Sequence, residues 1–221
     1  MELSEAMLRR HSVRRYTNAP IPADVTEALQ KEIAACNRES GLHIQLVCDE
    51  PRAFDSFMAH YGKFCGVQNY IALIGKKSAQ LEELCGYYGE RLALFAQTLG
   101  LNTCFVAMTY KKIPDAYRVD RGEKLTVVIA LGYGETQGVA HKSKTPAEVS
   151  NLGADSPAWF KRGVDAALLA PTATNQQKFT LTQSGNTVTA KAGVGFYAKV
   201  DLGIVKYHFE LGAGKENFAW A

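Results

Sequence analysis

The run Arg9-Arg10-His11-Ser12-Val13-Arg14-Arg15 gathers the groups best suited to hold an anion. Guanidinium groups bind phosphate through paired N–H donors, and a serine hydroxyl adds another donor. In an extended segment, alternation places Arg10, Ser12 and Arg14 on one side, a geometry that can grip a terminal phosphate. The same run also fits a solvated basic stretch at the end of a short helix, where positive charge favours the macrodipole. His11 can touch a phosphate or pack on the surface. A second basic run, His141-Lys142-Ser143-Lys144-Thr145-Pro146, follows the turn Gly132-Tyr133-Gly134. Alone it is a surface loop; together with the first run it can close an anion site.

Other chemistry is harder to place. Asn175 and Gln177, in the stretch Pro171-Thr172-Ala173-Thr174-Asn175-Gln176-Gln177, offer amide donors and acceptors, as does any polar turn after a helix. No HExxH, GxSxG or purposeful carboxylate pair is present, so no catalytic side chain is expected. The cysteines Cys36, Cys48, Cys65, Cys85 and Cys104 are odd in number and show no C-x-x-C spacing. Neither a disulfide framework nor a zinc knuckle is indicated, and no metal site is expected. Cys104 reads as a small core residue, and His208, in an apolar stretch, as a packed one.

The elements that must position these groups follow from periodicity. Residues 2–10 read as a short helix, and 23–36 as a second, with Val25, Leu29 and Ile33 at helical spacing. Alternation over 42–48 and the apolar runs 70–74 and 124–132 read as strands, and a weaker helix covers 52–60. Ser78 is placed to cap the longest helix, which closes at Gly100; LNTCFVAM then reads as strand or extended loop. Residues 134–156 look like a polar excursion. Helices are expected over 159–169 and 199–211. Strands 178–183 and 187–192 are expected to join through Ser184-Gly185-Asn186. Irregular alternation with a hairpin points to an α+β sandwich.

Bulk properties narrow the function. The chain has 221 residues, 47% hydrophobic and 21% charged, with net charge +3. That is ample for a buried core and too weakly basic to suggest nucleic acid. No apolar run suffices to cross a bilayer, and the N-terminus lacks a signal-peptide core, so a cytoplasmic protein without membrane contact is expected.

Taken together, RHSVRRY, GLNTC followed by FVAM, ALGYGE, HKSKTP and APTATNQQ resemble the nitroreductase family of FMN-dependent flavoproteins. The resemblance implies a nitroreductase-like sandwich with a mixed or antiparallel central sheet flanked by helices. It implies that Arg10, His11, Ser12 and Arg14 hold the FMN phosphate and ribityl chain, joined by Lys142 and Lys144. It implies that the backbone of Val106, Ala107 and Met108 approaches the flavin ring, and that Pro171, Thr172, Ala173, Asn175 and Gln177 cover it. The covering pattern stands at 171–177, whereas family members carry it after the first two helices; the corresponding place here, Cys36 to Ser40, lacks it. This order resembles the branch called TM nitroreductases, in which one chain fuses two family halves into a pseudo-dimer. Residues 1–150 would be the first half, with the phosphate grip. Residues 151–221 would be a shorter second half, giving one FMN per chain in a protein able to act as a monomer. Lys178-Phe179 replaces the usual Pro-Trp, and Ala107-Met108 replaces smaller or acidic residues beside the ring. The implied activity is reduction of nitroaromatics, quinones or similar small acceptors by NADH or NADPH in ping-pong fashion. A flavin carrier or sensor that does not turn over is the alternative.

Overall fold

A computed structural model describes residues 1–221. The chain divides into one unit of residues 1–81 with 91–140 and another of 82–90 with 141–221.

In the first unit, α1 (Leu3–Arg9) and α2 (Ala23–Ser40) precede β1 (Gln45–Val47). A short 3-10 turn at Pro51–Ala53 and α3 (Phe57–Tyr61) follow, then β2 (Asn69–Lys76), β3 (Asn102–Val106) and β4 (Glu123–Gly132). α2 runs past Cys36 and stops where Gly41 adopts φ 70°, a left-handed geometry that suits glycine. Strand β1 is shorter than the alternation predicts. On its free edge, Asn37 takes up Ile44: its Oδ1 accepts the Ile44 N–H at 2.8 Å and its Nδ2 donates to the Ile44 carbonyl at 2.9 Å. The His43 N–H still donates to the Ile74 carbonyl of β2 at 2.8 Å.

The sheet runs β1-β2-β4-β3 with every neighbouring pair antiparallel. β4 is buried on both faces from Leu125 to Gly132, as a run apolar but for Thr126 requires. Ile71, Leu73, Ile129 and Leu131 are fully buried, each contributing about 1.5–3 kcal/mol relative to exposure. On one side of the sheet Phe54 meets Phe64 and Tyr70 at centroid distances of 5.2 and 6.0 Å.

The helix α4 (Leu81–Thr98) passes through both units. Ser78 does not cap it. The cap position is Gln80, which makes no side-chain bond, and Glu82 and Glu83 supply negative charge to the first turn instead. Its end matches expectation, with Gly100 at φ 83° after Leu99.

In the second unit, α5 (Pro146–Val149), α6 (Ala158–Ala167), β5 (Phe179–Ser184), β6 (Thr187–Ala192), α7 (Ala198–Ala213) and β7 (Ala219–Trp220) follow in order. β5 and β6 form the expected hairpin, turning through Gly185 at φ 58° and Asn186. β7, absent from the sequence reading, pairs parallel with β6 through Val188 and Trp220. Glycines let two backbones touch. A Cβ on Gly86 would lie 1.9 Å from the Val200 carbonyl oxygen, and one on Gly203 would lie 2.0 Å from that of Glu83. His208 is packed, as expected, and fully buried: Nδ1 stands 3.1 Å from the Ala166 carbonyl and Nε2 stands 2.8 Å from Glu90 Oε1. A carbonyl oxygen only accepts, so Nδ1 carries a hydrogen.

Candidate functional site

Arg10 ends α1 with extended backbone, its N–H still donating to Ala6 at 2.8 Å. The chain then runs straight beside β3. Ser12 bridges Thr103 in parallel, and the Val13 N–H donates to the Thr103 carbonyl at 3.1 Å. Buried Tyr16 anchors the far end, its hydroxyl donating to the Val13 carbonyl at 2.8 Å. The turn after β4 closes on the same segment through Thr17 N–H to Tyr133 and Glu135 N–H to Arg15.

The basic residues of this segment differ in their surroundings. Ser12 hydrogen-bonds the Cys104 thiol, and Arg14 and Arg10 are both near enough for their charge to act on it. Burial dominates and pushes that thiol up, while the two cations and the serine oppose it. Arg10, Ser12 and Arg14 thus all stand near the Cys104 thiol. Arg15 is committed elsewhere, with Nε 2.7 Å from Glu135 Oε2. Arg10 is buried, 3% exposed. Arg14 is exposed, has no carboxylate partner, and sets its guanidinium 6.0 Å from the centre of the Phe64 ring. His11 lies against Gly138, where an added Cβ would approach its own Cβ to 2.8 Å.

β3 delivers the next residues. Val106 is buried at its end, Ala107 is half-buried and Met108 is 63% exposed. Asn102 acts structurally: Oδ1 accepts the Gly134 N–H and Nδ2 donates to Gln137, both at 2.9 Å. His43, Asp120 and Glu123 bring donor atoms within 4.8 Å of one another. Their groups already serve internal contacts, His43 to Glu123 at 2.8 Å and Asp120 to Arg118.

The second unit holds the remaining expected residues. Asn175 Nδ2 and Gln177 Nε2 both donate to the Lys142 carbonyl at 2.8 Å. Gln177 Oε1 accepts the Lys144 N–H, and Lys144 Nζ donates to the Gln177 carbonyl, again at 2.8 Å. The two amides thus lace the 171–177 turn to the basic loop, leaving the Lys142 ammonium without an acidic partner. Thr174, Asn175 and Gln177 all have positive φ, a strained conformation that such lacing maintains. Sequence reasoning missed the residue under this turn. Asp201, in the first turn of α7, accepts the Ala173 N–H at 2.9 Å and Gln176 Nε2 at 2.7 Å. Burial lifts its carboxyl to about 6, against the pull of those hydrogen bonds. Its one sequence signal was an acid near the start of an otherwise apolar helix.

Residues 2–213 match a family model described as "Putative TM nitroreductase". A Thermotoga maritima crystal structure with the same kind of description is 22% identical, with a TM-score of 0.69 over 96% of this chain and 83% of that one. A Desulfovibrio desulfuricans structure, described as a complex with FMN, is 17% identical, with a TM-score of 0.53 over 71% and 98% of the two chains. The NfrA1 nitroreductase of Bacillus subtilis is 11% identical, with a TM-score of 0.54 over 70% and 74%. At these identities the likeness establishes a shared fold. No curated protein matches the chain. The family match over nearly all of its length makes the chain a member of the TM nitroreductase family.

Proposed function

We propose that the protein is an FMN-dependent oxidoreductase that takes electrons from NADH or NADPH and reduces small acceptors such as nitroaromatics or quinones. The observation that supports this reading is the segment carrying Arg10, Ser12 and Arg14, bridged to β3 at Thr103 and set near the Cys104 thiol, with the Arg14 guanidinium exposed. A phosphate dianion needs several cations and hydroxyl or N–H donors. The residues present fit it, because Arg14 has no carboxylate to neutralise it and the Lys142 ammonium has none either. The FMN complex formed by the Desulfovibrio desulfuricans protein of the same fold supports this choice of cofactor.

When bound, FMN supplies hydride chemistry that no side chain offers. The chain's own residues bind and orient. Arg10, His11 and Ser12 hold the phosphate and ribityl chain, with Lys142 and Lys144 adding charge. Arg14 would supply a cation that favours the reduced, negatively charged form of the cofactor. Val106, Ala107 and Met108 offer backbone to the ring. Pro171, Thr172 and Ala173 cover it, in a turn whose shape Asn175 and Gln177 maintain. Donor and acceptor would react with the cofactor in turn, which asks for no acid–base side chain. In this reading residues 1–150 and 151–221 are two fused family-like halves that share one flavin, and the monomer is competent.

The test is the visible spectrum of the purified protein after FMN addition, followed by anaerobic NADH or NADPH. Bleaching by a nicotinamide and reoxidation by a nitroaromatic or quinone are expected. A colourless protein refutes the cofactor assignment. A yellow protein that only dithionite reduces makes it a carrier or sensor.

A further inference from the structure

The first unit contains a cavity of about 270 Å3, none of whose lining residues is assigned to the flavin above. Thr26 and Glu27, near the start of α2, form one wall, and Cys48 and Asp49, just past β1, form another. Asn69, the first residue of β2, also lines it, and Pro20 and Ile21 add apolar surface. The volume lies just under the roughly 300 Å3 at which ligand pockets begin, so it suits a small molecule.

Asn69 points to an occupant. It is 7% exposed, and its Oδ1 accepts the Asp49 N–H at 3.1 Å. A backbone N–H only donates, so the amide must turn its oxygen to Asp49 and its nitrogen elsewhere. That Nδ2 donates to no group of the chain, although Asn69 is buried. The cavity is where its acceptor belongs, because a buried donor left unpaired is costly.

Charge selects the rest of the ligand. No lysine or arginine lines the cavity. Glu27 already pairs with Lys31 at 2.9 Å, whereas the Asp49 carboxylate has no cationic partner. Burial pushes the Cys48 thiol up, and the Asp49 carboxylate adds to that push. The field of Asp49 therefore reaches the cavity wall. The positive end of α2 does not cancel it, since Asp24 in the first turn already meets that end.

We propose that this cavity binds a small primary-amine cation that also carries a hydroxyl or carbonyl oxygen. The ammonium pairs with Asp49, and the ligand oxygen accepts from Asn69 Nδ2. The Thr26 hydroxyl offers a further hydrogen bond, and the carbon chain lies on Pro20 and Ile21. Anions are refused, because the cavity sets carboxylates and no cation against them. The site does not depend on the flavin reading.

The experiment titrates three probes of one shape into the purified full-length protein: 4-amino-1-butanol, neutral 1,4-butanediol and anionic 4-hydroxybutanoate. Nitrogen–proton correlation spectra follow the Asn69 side-chain amide, and calorimetry gives the affinities. The amine should shift the Asn69 amide and bind about fivefold tighter than the diol, and the acid should not bind. Added salt should weaken the amine and leave the diol unchanged. Asp49→Asn should bind the amine about fivefold more weakly and erase its advantage over the diol. This variant should keep the wild-type melting temperature, because Asn tolerates a positive φ as Asp does. No movement of the Asn69 amide with any probe overturns the site. Equal binding of amine and diol by wild type, or an undiminished amine preference in Asp49→Asn, overturns the choice of a cation.

Discussion

Replacing Asp201 by Asn should change how stability depends on pH. The carboxyl sits at about 6 in the folded protein against an ordinary 3.8, chiefly because burial disfavours its charge. A raised carboxyl value means that the native state holds the proton more tightly than the unfolded chain. Stability from this group is thus complete below the unfolded value, falls as pH rises through the window up to about 6, and is flat above. At about 1.4 kcal/mol per pH unit, the ionised form costs roughly 3 kcal/mol at neutral pH. Asn has no such cost, but it brings another. Gln176 Nε2 already donates to both the Phe196 carbonyl and Asp201 Oδ2, so its amide cannot turn without setting oxygen against oxygen. An Asn amide therefore leaves donor facing donor, a penalty of about 1–3 kcal/mol.

The variant is expected to be less stable than wild type near pH 4 by about 1–3 kcal/mol and to draw level or pass it by about pH 7. The difference between the two proteins should swing by about 3 kcal/mol across that range. Urea unfolding of both at a series of pH values measures it. Taking the difference removes Glu50, Asp115, Glu123 and Glu148, whose carboxyls are held low and contribute with the opposite sign. A swing under about 1 kcal/mol would refute the claim that burial controls this group.

Changing Arg10 and Arg14 together to Ala should strip FMN from the purified protein while circular dichroism stays native; full retention of flavin would sink the site assignment. Flavin released by acid and quantified against protein should give one FMN per chain, and two would exclude the fused-half reading. Gly203→Ala should cost at least about 3 kcal/mol in urea unfolding, since its Cβ would stand 2.0 Å from backbone that cannot swing aside. A melting temperature equal to wild type would show that α7 shifts freely.

Much of the fold was legible because its signals are local. The largely apolar run of β4, the glycine after α4 and the Gly185-Asn186 turn each state a backbone preference within a few residues. The same holds for the basic segment, whose extended run beside β3 follows the end of α1 at Arg9. What the sequence by itself could not reveal depends on partners distant in the chain. Arg15 is withdrawn by Glu135, the free edge at Ile44 is held by Asn37, and Asn175 and Gln177 turn their amides inward to Lys142 and Lys144. Asp201 and the touching glycines Gly86 and Gly203 carry no pattern of their own. Periodicity records which side of an element is apolar; which atom meets which across two elements is set by close packing, and only the tertiary structure decides that.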